Sequence, residues 1–190
     1  MKLRIVVVGI PGVGKTTVVE KLCSKLEAAK IVTFGTVMFE EARRRKWVKG
    51  RDDMRKLPVN RQKTLQASAA SRISKMTDRI VFIDTHLFIR TKEGFWPGLP
   101  FDVVRALNPT HFILVEASPG EISARRASDP GRARDSVATE ELEKELGLGR
   151  AFLSVSSTLT GAPMLIVRNE QGKADETAEG LAAVIKEAAE

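Results

Sequence analysis

Short apolar runs rich in Val, Ile and Leu alternate along this chain with longer stretches whose apolar positions recur every three or four residues. Leu3-Arg4-Ile5-Val6-Val7-Val8 is one such run, closed by Gly9, and reads as a buried central strand. From Lys15 to about Ala29, residues Val18, Val19, Leu22, Cys23, Leu26 and Ala29 fall on one helical face. Ile31-Val32-Thr33-Phe34 predicts a second strand, and the stretch from about Thr36 to Trp47 a helix with Glu40 and Glu41 one turn before Arg44 and Arg45. Leu65, Ala69 and Ile73 set a further helix over about Asn60 to Met76. Arg79 to Asp84, His111 to Glu116 and Met164 to Val167 complete the strands, with helices expected over 119–128, 139–158 and 174–188. Strands apolar on both faces, each followed by a helix, predict an α/β protein: a parallel sheet covered on both sides.

Two segments break the alternation. Phe95-Trp96-Pro97-Gly98-Leu99-Pro100 reads as an aromatic, proline-glycine loop, and Asp129-Pro130-Gly131-Arg132-Ala133-Arg134-Asp135 as a turn-forming stretch bearing arginines. Gly147 and Gly149 are expected to kink or break the helix over 139–158. At 190 residues the chain suits one domain with one well-buried core. Its first apolar run stops at Ile10-Pro11-Gly12, too short for a secretion signal or a bilayer span, so a cytoplasmic address without membrane attachment is expected. The single cysteine, Cys23, excludes an internal disulfide and a multi-cysteine zinc site, and its helical face makes it a core thiol.

Charge changes the picture more than composition does. Residues 1–135 carry 26 Lys+Arg against 14 Asp+Glu, whereas 136–190 carry 5 against 10, so the excess positive charge belongs to the first two-thirds. That part also holds Gly9-Ile10-Pro11-Gly12-Val13-Gly14-Lys15-Thr16, a G-x-x-x-x-G-K-[ST] loop set between a predicted strand and a predicted helix. Glycines there let successive backbone N–H groups turn around phosphate oxygens, and the helix N-terminus adds partial positive charge. Lys15 can reach the β- and γ-phosphates and the Thr16 hydroxyl can ligate Mg²⁺. Asp84 ends an apolar strand, where a carboxylate can hold the same ion; a strand-end acid that merely caps a turn is the plainer alternative. His86, two residues on, could contact an acceptor phosphate or pack structurally.

The loop names a binding event and not a reaction. No Asn-Lys-x-Asp sequence is present, which weakens a guanine-nucleotide reading. Arginines outside the loop, notably Arg55, Arg90, Arg125, Arg126, Arg132 and Arg134, suit phosphoryl transfer between two polyanions, because guanidinium forks neutralise oxygens from both sides. An acceptor that is itself a phosphate already offers an anionic oxygen and needs no general base. Arg43-Arg44-Arg45-Lys46, with acids one turn back, reads as a solvated, salt-bridged face. Phe95 and Trp96 could wall an adenine pocket or plug a core edge. Three classes stay open on the residues alone: a nucleoside monophosphate kinase, a kinase for another small acceptor, and a polynucleotide-binding ATPase. The last is disfavoured by the absence of tyrosine and an aromatic content of 5%.

Residues 9–17, 33–40, 51–57, Asp84-Thr85-His86, 97–100 and 122–135 together make the chain resemble the archaeal adenylate kinases over nearly its whole length. The resemblance implies reversible conversion of ATP and AMP into two ADP, Mg²⁺ dependence, a P-loop kinase fold with a five-stranded parallel sheet and the loop strand at its centre, and a trimer. It assigns Gly9, Ile10, Pro11, Gly12, Val13, Gly14, Lys15, Thr16 and Thr17 to ATP, and Thr16 and Asp84 to the metal. Gly35, Thr36 and His86 fall on the AMP side, in a subregion over about 35–76. The long lid of bacterial and eukaryotic relatives shrinks here to about 129–135, with no zinc; Lys15, Arg125, Arg132 and Arg134 are the implied catalytic set. Where those relatives carry an arginine on the AMP-side helix, this chain has Phe39, so Arg55 and Arg90 are expected to bind the AMP phosphate instead.

Overall fold

In the computed structural model, residues 1–91, 94–128 and 138–189 are described. Five parallel strands, β1 (Leu3–Val8), β2 (Ala29–Thr33), β3 (Ile80–Asp84), β6 (His111–Glu116) and β7 (Met164–Arg168), form one sheet in the order β2-β3-β1-β6-β7. The strand that feeds the glycine loop is therefore central, as expected. Its Leu3, Ile5 and Val7 pack into one core cluster and Val6 and Val8 into the other, all at most 1% exposed, so the two-residue strand period divides a single run between two layers. One layer holds α1 (Lys15–Ser24), α5 (Pro119–Ala127) and α7 (Ala174–Ala189); the other holds α3 (Val59–Ser74) and α4 (Phe101–Leu107). The long α6 (Thr139–Thr160) gives Leu142 and Leu146 to the first and Leu153 to the second. Among the described residues no helix is long and apolar enough to cross a membrane.

Three expectations are corrected. Gly147 and Gly149 neither kink nor break α6, which is continuous over 22 residues. Each interior glycine costs about 1 kcal/mol against alanine, but burial of Leu142, Leu146 and Leu153 on one stripe outweighs that. The first half of the aromatic segment is strand, with only Gly98, Leu99 and Pro100 left as loop: β4 (Phe88–Thr91) and β5 (Gly94–Pro97) pair antiparallel, with Phe88 against Phe95 at 5.1 Å and against Phe152 of α6 at 5.8 Å. Pro97 sits at the last residue of its strand, where the lost donor costs nothing. Finally, α4 was not foreseen. Pro100 caps it, and its Val103, Val104 and Leu107 are buried against α3.

Cys23 is a half-buried thiol that donates to the Ala29 carbonyl at 3.4 Å, and burial pushes its pKa up. It packs against the first core layer as expected. The edge strand β7 differs from the others. Leu165 and Val167 pack inward while Met164 and Ile166 stay 40% and 48% exposed.

Candidate active site

All five strands present their C-terminal ends to one side of the sheet, where a parallel α/β fold opens its crevice. The strand order puts β3 between β1 and β2, and Asp84 pairs in register with Val7 on one side and Thr33 on the other. Asp84 thus stands between two helices that start at the same edge. Both α1 and α2 (Phe34–Arg44) begin without a side-chain cap, at Gly14 and Thr33. Their first-turn N–H groups remain available to anions on either side of the carboxylate.

On the β1 side, residues 9–16 make the loop between strand and helix that the sequence predicts. Gly12 and Gly14 hold φ of 96° and 82°, which side-chain-bearing residues rarely adopt. At Gly9 a Cβ would lie 2.7 Å from the Val115 carbonyl oxygen. Lys15 is 8% exposed and its ammonium is ion-paired with Asp84, whose side chain is 14% exposed. Burial pushes Lys15 down to about 8, while the facing carboxylate favours keeping the proton. Asp84 Oδ1 is buried and faces that ammonium. Thr16 and Thr17 are exposed on the first turn of α1. A buried carboxylate oxygen and a hydroxyl one helical residue beyond the lysine form a hard-oxygen donor pair that fits Mg²⁺. Among the described residues no cluster of three or more His, Cys, Asp or Glu side chains could hold a metal alone, so remaining ligands would be phosphate and water.

On the β2 side, Gly35 is open to solvent and Thr36 is half-buried in the first turn of α2. The Thr36 hydroxyl accepts from Arg51 Nη2, and the same guanidinium lies 5.9 Å from the centre of the Phe39 ring. Arg55 is exposed four residues further on, in a 3₁₀ turn over Asp52–Lys56. Arg55 and Arg90, expected together on the acceptor side, stand on different elements. Arg90 projects from β4 and is ion-paired with Glu141 at 3.1 Å and Glu145 at 3.8 Å on α6. His86 is exposed and lines a small cavity with Gly9, Ile10, Pro11 and Gly149. Arg43 and Arg44 lie on the outer face of α2, Arg44 bonded to Glu41 at 2.8 Å, which agrees with a salt-bridged surface.

Arg125 reaches the loop from behind. Its Nη1 donates to the Val13 carbonyl at 3.0 Å, Nη2 to the Asn169 carbonyl at 3.0 Å and Nε to Gln171 at 2.9 Å. Arg126 donates to the Pro11 carbonyl at 2.9 Å and pairs with Glu145 at 3.4 Å. Arg132 and Arg134 lie outside the described residues. Two contacts beside the site left little trace in the sequence, Arg51 to Thr36 and Asn169 to the Val13 carbonyl at 2.8 Å. Asn169 did leave a signal, as a polar residue placed directly after the last apolar strand.

Known proteins extend this picture. The family described as an AAA domain matches residues 8–143. Adenylate kinase from Thermoplasma acidophilum is 44% identical over 183 residues, covering 96% of this chain and 98% of the relative. Adenylate kinase from Methanocaldococcus jannaschii is 40% identical, covering 96% and 97%. Among solved structures, shikimate kinase from Bacteroides thetaiotaomicron superimposes with a TM-score of 0.64 at 13% identity, covering 97% of this chain and 98% of that one, which shows the shared P-loop kinase fold. Likeness over essentially the full length of such relatives, with the loop, the strand-end acid and the sheet order in place, shows that this chain belongs to the adenylate kinase family.

Proposed function

We propose that this chain transfers the γ-phosphoryl group of ATP to AMP, reversibly and with Mg²⁺, giving two ADP. The observation that carries the reading is the position of Asp84 between two uncapped helix N-termini, one reached through the glycine loop and one through β2. A donor phosphate chain suits the first and an acceptor phosphate the second, with the transfer path across the end of β3. Lys15 exchanges its partner, Asp84, for donor phosphate oxygens and stabilises charge on the transferring group. When bound, Mg²⁺ would be held by Asp84 and Thr16 and would neutralise donor phosphate charge. Because an AMP phosphate oxygen is already anionic, no side chain need remove a proton.

On the acceptor side we assign Gly35, Thr36, Arg51 and Arg55 to AMP. Arg51 supplies a guanidinium over Phe39, beside the first turn of α2. Arg90 and His86 are kept as contacts that would require Arg90 to leave Glu141. Arg132 and Arg134 would act on the transferring group from a lid over about 129–135. The whole chain would then work as one kinase domain in the cytoplasm. Self-association is part of the same reading: Val155 and Leu159 of α6 and Met164 and Ile166 of edge strand β7 are 40–57% exposed, apolar side chains that would suit burial in a homo-oligomer such as the trimer of the family resemblance. Sedimentation should then report a multiple of the 20.9 kDa chain mass.

A coupled assay for ADP across acceptors tests the reaction. ADP should form from ATP only when AMP is added, and from ADP alone ATP and AMP should appear. ADP release at the same rate without AMP, or transfer to a non-nucleotide hydroxyl in its place, would overturn the reading.

A further inference from the structure

Loop carbonyls, rather than loop N–H groups, are where the rest of the molecule takes hold of the nucleotide loop. The Val13 carbonyl accepts from the Asn169 amide at 2.8 Å and from Arg125 Nη1 at 3.0 Å, which occupies both lone pairs. The Pro11 carbonyl accepts from Arg126 Nε at 2.9 Å. In a trans peptide the carbonyl and the N–H that follows it point in opposite directions, and every described peptide is trans. Fixing the Pro11 and Val13 carbonyls toward these side chains therefore turns the Gly12 and Gly14 N–H groups the other way, where successive donors can meet an anion. Grip and glycine are fitted to each other. A Cβ on Gly14 would overlap the Asn169 amide nitrogen, and one on Gly12 would lie 3.1 Å from both Arg126 Cγ and Ile122 Cγ2.

We propose that Asn169 is a positioning residue for the donor nucleotide: with Arg125 it clamps the Val13–Gly14 peptide, so that the loop is shaped for the phosphate chain before that chain arrives. Asn169 is suited to this by its own fixity. It is 3% exposed, its N–H donates to the Glu116 carbonyl at 2.8 Å, and its carbonyl accepts from Arg125 Nη2 at 3.0 Å. Its Oδ1 is buried and accepts nothing among the described residues. A leucine of similar volume would avoid burying that unpartnered acceptor, so the amide earns its place through its donor. The amide orientation follows from the partner, because the flipped form would set Oδ1 against the Val13 oxygen, two acceptors face to face. Clamping the carbonyls also polarises the peptides and strengthens their N–H groups as donors.

The inference rests on the donor half of the proposed reaction, and the experiment separates the two. Calorimetric titration with ATP and with inorganic tripolyphosphate is carried out on the parent, Asn169→Asp and Asn169→Leu, with thermal melts as the check on folding. Both variants should bind ATP and tripolyphosphate about tenfold more weakly, by the same factor for each, since the loss lies at the phosphate loop and not at the base. The KM for AMP should stay within about twofold of the parent's. Arg125→Met, which frees the same carbonyl, should weaken tripolyphosphate binding comparably, and the double variant should lose less than the sum of the singles. A parent that binds neither probe overturns the donor reading itself. Folded Asn169 variants with unchanged affinity, or with ATP and AMP KM values raised alike, overturn the clamp; should both Asn169 variants unfold, Arg125→Met alone decides on the same criterion.

Discussion

The two sides of Asp84 are built in opposite ways. Toward β1, charge is buried and braced: Lys15 and Asp84 face each other largely out of water, and the loop carbonyls are held by Asn169, Arg125 and Arg126. Toward β2, Gly35, Arg51 and Arg55 are exposed, and the arginines lie over Phe39 or project into solvent. A braced site has little to reorganise and can act at the moment of transfer. An exposed one must order its side chains on binding and so spends part of its interaction on affinity. The first side should therefore govern turnover and the second selectivity for the acceptor, and each of the following measurements can break that division.

The largest effect belongs to Lys15. Lys15→Met should lower kcat by about 10²–10³-fold or more while leaving the AMP KM within a few-fold, because it removes charge on the transferring group alone. A folded variant with near-parental kcat would end the assignment of the braced side to chemistry. The same lysine predicts a pH effect. With its pKa at about 8 in the free protein, bound phosphates should raise that value, so the bound state holds more protons than the free state above pH 8. ATP affinity should be flat below pH 8 and fall as pH rises through it, by up to about tenfold per unit. Lys15→Met should abolish that dependence, as read by titration from pH 7 to 9.5.

On the exposed side, Arg51→Ala and Arg55→Ala should each raise the AMP KM by about tenfold, as expected for loss of a charge-assisted contact, with the ATP KM within about twofold. Arg90→Ala sharpens the comparison. Since Arg90 pairs with Glu141 and Glu145 in the free protein, it should change the AMP KM less than Arg51→Ala does, unless AMP draws it away from those acids. A larger effect from Arg90 than from Arg51 would reverse the acceptor assignment, as steady-state kinetics with AMP varied would reveal.

This contrast also explains how far the sequence could be read. The loop at the heart of the braced side is local: residues 8–16, with their glycines, Lys15 and Thr16, are consecutive, and backbone geometry at Gly12 and Gly14 demands glycine there. Asp84 was legible because it closes an apolar run. The sheet, with its central loop strand, followed from strands apolar on both faces. What stayed hidden on either side are side-chain meetings between different elements. Arg51 meets Thr36 across 15 positions, while Arg90 meets Glu141 across 51, and no spacing rule encodes either meeting. Asn169 meets the loop across 156 positions. The hairpin and α4 were hidden for a different reason: Pro97 and Pro100 look like loop punctuation, yet they fall at a strand end and a helix start, where proline costs little.

The smallest effect concerns the helix behind the braced side, and it asks whether bracing is local or a property of the whole layer. Gly147 and Gly149 both lie inside α6, away from any positive φ, and a Cβ at either would meet nothing within 4 Å. They differ in what they face. Gly147 is exposed, whereas Gly149 is buried and lines the cavity shared with Gly9, Ile10, Pro11 and His86. Alanine at Gly147 should raise stability by about 0.5–1 kcal/mol, chiefly by restricting the unfolded chain, with every kinetic constant unchanged. Alanine at Gly149 should add the same helical term and also put a methyl group into the space beside the loop. If bracing is the work of Asn169, Arg125 and Arg126 alone, Gly149→Ala should leave the ATP KM within about twofold of the parent's while stability rises. Chemical denaturation with both substrates varied in parallel separates the cases. A change in the ATP KM for Gly149→Ala but not for Gly147→Ala would show that the cavity beside the loop is itself part of how the loop moves.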